Sequence, residues 1–118
     1  MGTVTVTVGI GDRQGRQFEE IEVTVDTGST YTAVPREMLQ RLGVRVERSM
    51  PSVTADGRIV PVDVAHTTVR LEGLEFPTPV IFAEPGEPSL LGVVTLEEAG
   101  LAVDPVAGQL VPTNLLRY

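Results

Sequence analysis

Ile21-Glu22-Val23-Thr24-Val25-Asp26-Thr27-Gly28-Ser29-Thr30 is the stretch that decides the fold. Residues 21–25 alternate apolar and polar, the period of a strand with one buried face. The strand runs straight into Asp26, then a hydroxyl residue, then a glycine. A carboxylate at the end of an apolar strand suits acid–base chemistry at a buried loop. The same tripeptide also makes an ordinary turn, in which the Asp side chain caps backbone amides. Context favours the first reading: an alternating strand leads in, Ser29 adds a small hydroxyl, and a helix begins a few residues later. The stretch occurs once in 118 residues. Acid–base work by carboxylates needs two of them, so one such loop per chain predicts a symmetric dimer with the site on its axis.

Working outward, Thr3 to Val8 alternates Val and Thr and reads as a strand. Gly9 to Gly15 reads as a turn, on its glycines and Asp12. Phe18 to Val25 is the second strand, with Ile21, Val23 and Val25 on one face. Pro35 to Leu42 reads as a short helix, with Pro35 at its first position, Gly43 beyond its end and Met38, Leu39 and Leu42 as the buried stripe. Ser52 to Leu71 reads as a long β-hairpin with Ala55-Asp56-Gly57-Arg58 at the tip, Asp-Gly being a strong two-residue hairpin signal. Pro61 in its return arm suits an arm that projects. Phe76 to Ala83 is a further strand, in which Pro77 and Pro79 favour edge or irregular pairing. Glu84-Pro85-Gly86-Glu87-Pro88 is a rigid turn.

A second unit lies downstream. Ser89-Leu90-Leu91-Gly92 is an apolar strand ending in glycine, followed by a short helix from Val93 to Ala99 capped by Gly100. Leu101 to Val103 and Leu110 to Pro112 form a final hairpin, and the chain runs on to Tyr118. Two strand–glycine–helix units flanking a glycine-tipped hairpin resemble the retroviral-type (retropepsin-like) aspartic proteases, and more closely their small cellular and prokaryotic single-domain relatives. The resemblance runs in order through nearly the whole chain.

The resemblance implies a mainly β, small, closed, barrel-like acid-protease fold with a flap hairpin and one or two short helices. Residues 1–118 would be one domain, supplying one half of a symmetric dimeric active site. Asp26 would be the catalytic carboxylate, paired with its counterpart in a second copy. Thr27 would help bind the two loops across the axis, and Gly28 would lie under the substrate, with Ser29 completing the loop. Ala55, Asp56, Gly57 and Arg58 would form the flap tip. Leu90, Leu91 and Gly92 would support the loop that carries Asp26. The function implied is aspartic endopeptidase, hydrolysing peptide bonds with a water activated by an Asp dyad. Two departures stand out: the viral members carry a carboxylate shortly after the first motif and an Arg directly after the downstream glycine, whereas this chain reads Ser29-Thr30-Tyr31 and Val93 there. These departures keep open an alternative, a catalytically weak or inactive protease-like β domain used for binding or assembly.

Composition narrows the rest. There is no cysteine, which removes disulfides, thiolate catalysis and cysteine metal sites. The single histidine, His66, sits between Ala65 and Thr67 in a strand and reads as a surface or interface residue. No metal and no cofactor is called for. A net charge of −7 argues against nucleic acid and anionic membranes as partners. The partners expected are a second copy and a peptide or unfolded protein. All nine basic residues are Arg, and Arg36, Arg41, Arg45 and Arg48 read as solvated surface. Asp56 and Asp104-Pro105 read as turn chemistry. Tyr31 either lines a pocket or packs beneath the loop. No basic or apolar leader opens the chain, and no run nears the roughly 18 apolar residues of a membrane helix, so a cytoplasmic protein is expected.

Overall fold

The alternation in the first two apolar segments produces an antiparallel pair, β1 (Thr5–Gly11) and β2 (Phe18–Val25), with Val8 opposite Ile21. The structure is a computed structural model that describes residues 3–117; Met1, Gly2 and Tyr118 lie outside the described residues. β3 (Thr32–Pro35) leads into α1 (Arg36–Arg41), and β4 (Arg48–Val53) pairs with the long β5 (Ile59–Leu71). β6 (Leu74–Ala83), the short β7 (Leu90–Leu91), α2 (Val93–Ala99), β8 (Leu101–Asp104) and β9 (Gln109–Pro112) follow.

Strands β1 to β7 form one sheet in the order β1-β2-β7-β3-β6-β5-β4. A further pairing of β1 with β5, at Gly9–Arg70 and Ile10–Val69, nearly closes the sheet on itself. β4 and the first residues of β5 stand outside that closure. β8 and β9 pair only with each other. The protein is therefore mainly β, a near-closed sheet with two short helices, as the residue pattern predicts. No helix among the described residues is long and apolar enough to cross a membrane.

The inward faces meet in one core. Val8, Ile10, Val23, Val34, Leu39, Val69, Leu71, Val80 and Leu91 are buried together. Each such side chain contributes roughly 1.5–3 kcal/mol on leaving water. α1 lays Met38, Leu39 and Leu42 on this core, and α2 adds Leu96. Gly100 ends α2 in the left-handed conformation at φ 69, which a side chain would strain.

Several sequence expectations need correction. β1 runs through Gly9 and Gly11 instead of turning at Gly9. Glycine is required there by packing: a Cβ on Gly11 would lie 2.7 Å from the Phe18 ring. That ring is also covered by the Arg70 guanidinium, 3.9 Å from its centroid. Pro35 is the residue before α1, not its first, because its ψ of 133 is still extended. The projecting hairpin begins at Arg48, earlier than Ser52, and its connection is the five-residue loop 54–58, not a two-residue turn. Thr54 ties that loop across its base: its hydroxyl contacts Asp56 and accepts the Arg58 N–H at 3.1 Å, and its amide donates to the Arg58 carbonyl at 2.9 Å. Pro77 and Pro79 lie in an interior strand, since β6 sits between β5 and β3. β3 covers only Val80 to Ala83, however, so both prolines fall where β5 alone flanks the strand and no amide is missed on the other side. Arg36 is not solvated surface; it bridges Asp63 and Glu84.

Candidate active site

β2 delivers Asp26 to a loop held at several points by hydrogen bonds. The Asp26 amide donates to the Leu91 carbonyl at 3.0 Å, and the Asp26 carbonyl accepts from the Ser29 amide at 3.0 Å. The parallel register Thr24–Leu90 and Val25–Leu91 sets β7 directly beside the end of β2. The Gly28 amide donates to Asp26 Oδ1 at 2.9 Å, the one hydrogen bond that the described residues give this carboxylate. Asp26 is half-buried, while Thr27 and Gly28 are exposed.

The second strand–glycine–helix unit clasps the first. The initial amides of α2 lack partners within the helix; Val93 donates to the Ser29 carbonyl at 2.8 Å and Val94 to the Thr30 carbonyl at 3.0 Å. Gly92 is pressed against the same loop. A Cβ there would lie 2.4 Å from the Tyr31 carbonyl carbon and 2.6 Å from its oxygen. Leu90, Leu91 and Gly92 thus lie against the Asp26 loop through backbone contact.

A buried polar chain, unforeseen from the sequence, locks this crossing. Thr32, Thr95 and Thr78 are fully buried. The Gly92 amide donates to Thr32 Oγ1 at 3.1 Å; Thr32 and Thr95 hydroxyls lie 2.6 Å apart, and Thr95 and Thr78 2.9 Å apart. Thr78 donates to Glu98 Oε1 at 2.6 Å. Each hydroxyl has one proton. With the Thr78 proton on Glu98, Thr95 must donate to Thr78 and Thr32 to Thr95, so the direction of the whole chain is set by its two ends. No buried polar side-chain atom among the described residues lacks a partner. The one available signal was Thr inside apolar runs (Thr32 before Ala33-Val34, Thr95 between Val94 and Leu96), where Val would serve packing equally well. Replacing Thr95 by Val keeps the shape, leaves the buried Thr32 proton without an acceptor and removes the bond into Thr78; the expected loss is about 1–3 kcal/mol in chemical denaturation. A loss below a few tenths would contradict this role.

Between the Asp26 loop and the β4–β5 hairpin lies a cleft of about 650 Å³. Its walls include Tyr31, Met50, Val62, Val64, Ile81 and Leu90, which settles Tyr31 as a lining residue. Among the described residues, Asp26 is the only carboxylate on the lining. Ala55 borders the cleft, and Asp56, Gly57 and Arg58 stand exposed at the hairpin tip. The Thr54 hydroxyl and then Arg58 hold the Asp56 carboxyl below the ordinary carboxylate range, consistent with a turn residue that orders its own loop. Glu47 is likewise held low by His66, which is exposed on β5. Neither reaches the cleft lining.

A near-closed β sheet, an acid-bearing loop clasped by a second strand–glycine–helix unit, and a hairpin over the cleft define a protease-type domain of the acid-protease fold. The aspartyl protease family model matches residues 4–95, and the chain belongs to that family. The match runs from β1 into α2 and leaves β8, β9 and the C-terminal run beyond it. No curated protein matches the chain.

Proposed function

We propose that the protein is an aspartic endopeptidase whose active site forms between two copies of the chain, each supplying Asp26. The observation that carries this reading is the single carboxylate that the described residues place on the cleft lining. One carboxylate cannot at once take a proton from water and give one to the scissile carbonyl. Two carboxylates about 3 Å apart across a two-fold axis cannot both ionise cheaply and so share a proton. The ionised member draws a proton from a bound water while the protonated member polarises the peptide carbonyl. The tetrahedral intermediate then collapses as a proton passes to the leaving amine. Gly28, without a side chain, lets the peptide backbone approach, and the hairpin tip 55–58 closes over it to exclude water. No cofactor or metal has a role in this scheme. The apolar cleft walls favour apolar side chains beside the scissile bond, and the net charge of −7 disfavours strongly acidic substrates.

The face that would meet the second copy has a consistent character. Thr27, next to Asp26, lines a second cleft of about 490 Å³ together with Val93, Leu101, Val103, Leu115 and Leu116. Leu115 and Leu116 are 80% and 98% exposed. A two-stranded ribbon such as β8–β9 is marginal alone in water, and covering this face would bury both it and the leucines. Two copies meeting here would also bring their Asp26 loops together. The double substitution Leu115→Glu, Leu116→Glu is expected to shift sedimentation from dimer to monomer at micromolar concentration and to remove cleavage with it. A variant that stays dimeric and active would place the seam elsewhere. The function itself is tested by cleavage of a diverse peptide library from acidic to neutral pH, wild type beside Asp26→Asn. Cleavage by the wild type alone supports the reading; no cleavage, or equal cleavage, removes it.

A further inference from the structure

We propose that Arg36 is a positioning residue that sets the angle at which the β4–β5 hairpin stands over Asp26, an inference that rests on the protease reading above. The argument begins with the register. β5 pairs with β6 from Val64, opposite Ile81, onward. Ile59 to Asp63 pair with β4 alone. Asp63 is therefore the last residue before the hairpin leaves the body of the sheet, and it marks the hinge.

Arg36 grips that point. Its Nη2 lies 2.7 Å from Asp63 Oδ2, and its Nε and Nη2 lie 2.9 and 2.8 Å from the two oxygens of Glu84. The other Asp63 oxygen, Oδ1, accepts from Ser49 Oγ at 2.8 Å, and Ser49 faces Asp63 across the hairpin. One carboxylate thus holds both arms of the hairpin to one guanidinium. The guanidinium is fixed in turn by the Glu84 fork at the end of β6 and lies 5.0 Å from the centroid of the Phe82 ring. Arg36 directly follows β3, the strand that continues from the Asp26 loop. The clamp consequently ties the base of the hairpin to the segment that continues from the Asp26 loop, in addition to the β3–β6–β5 strand ladder.

The chemistry calls for Arg. A planar fork can bind Glu84 with two N–H groups and still reach Asp63, whereas an ammonium has no fixed geometry. Isolated exposed ion pairs add little to global stability. At a hinge the consequence falls on a local angle instead, because beyond Asp63 only the two arms hold each other. Arg36 keeps the Asp63 and Glu84 carboxyls below their ordinary values, with Ser49 adding to the effect at Asp63. The clamp is complete above those ordinary values and loosens only as pH falls through the lowered ones, so it stays intact on the mildly acid side where a proton-sharing pair works.

The chain has no cysteine, so Ala55→Cys gives a unique site for a spin label at the hairpin tip. In a dimer the two labels report the tip-to-tip distance directly. Arg36→Met is expected to broaden that distance distribution toward longer values. In unlabelled protein it raises KM about tenfold, as a tenfold fall in the closed population would, with kcat within about threefold. Arg36→Lys recovers part of both effects. Asp63→Asn, which keeps the Ser49 contact and loses the ion pair, is expected to match Arg36→Met and decides the question alone if that variant fails to fold. Unchanged distances and unchanged KM in a folded variant overturn the proposal while leaving the protease reading intact. Absence of dipolar coupling in the labelled protein with Arg36 in place contradicts the dimer itself, and the proposal falls with it.

Discussion

Asp26→Asn is expected to lower kcat/KM for peptide cleavage by about 10⁴-fold or more, because one substitution removes both the base and the acid of a shared pair. The substitution is nearly isosteric, and the side-chain oxygen can still accept the Gly28 amide hydrogen bond seen at 2.9 Å. The loop, its bond to Leu91 and the clasp from α2 use backbone groups and are untouched. The variant should therefore unfold at the same temperature and sediment as the wild type does. Paired cleavage and thermal-unfolding measurements separate this outcome from simple misfolding. Loss of activity accompanied by a large drop in melting temperature would assign Asp26 a structural role instead.

The second large effect is predicted at Gly92. An added methyl group would meet the Tyr31 carbonyl carbon at 2.4 Å, the Tyr31 oxygen at 2.6 Å and the Thr30 oxygen at 2.9 Å. All three are backbone atoms, and the Thr30 carbonyl already accepts from α2. Nothing in that set can swing aside, so the crossing of the two strand–glycine–helix units must open. Gly92→Ala is expected to destabilise by about 3 kcal/mol or more, at the upper end of overpacking costs, and to lower the melting temperature by roughly 10 °C or more. Gly28→Ala is the contrast: its nearest obstacle is a side-chain atom, Asp26 Oδ1, at 3.2 Å. It should fold and lose activity through crowding of the carboxylate. Equal melting temperatures for Gly92→Ala and wild type would show that the clasp does not hold the loop.

The parts of this fold that local chemistry controls were legible from the residues alone. The alternation in Phe18–Val25, the glycines ending both helices and the Gly57 turn (φ 84) each announce themselves within a few positions. What escaped depends on partners far along the chain. Gly9 and Gly11 look like turn residues until Phe18 and Arg70 are seen packed over them. Pro77 and Pro79 look like edge markers until the short reach of β3 along β6 is known. Thr32, Thr78 and Thr95 are unremarkable singly and become a directed hydrogen-bond chain only when three elements converge. Arg36 resembles its neighbour Arg41 in sequence and differs in gripping two carboxylates, Asp63 and Glu84, where Arg41 grips Glu19 alone at an exposed position. At the site, the Asp26 loop could be read as a candidate from its strand and turn; its clasp by Val93 and Val94, and the cleft it shares with the hairpin, could not.

The central claim, that each active site takes one Asp26 from each of two chains, is tested most directly by mixing. Wild type and Asp26→Asn are combined in varying proportion at constant total concentration, allowed to exchange subunits, and assayed for peptide cleavage. If both carboxylates are needed, only wild-type pairs work, and an equal mixture keeps about one quarter of the full activity, following the square of the wild-type fraction. Activity falling in simple proportion, to about one half at equal mixing, would mean that each chain works on its own and would contradict the shared site.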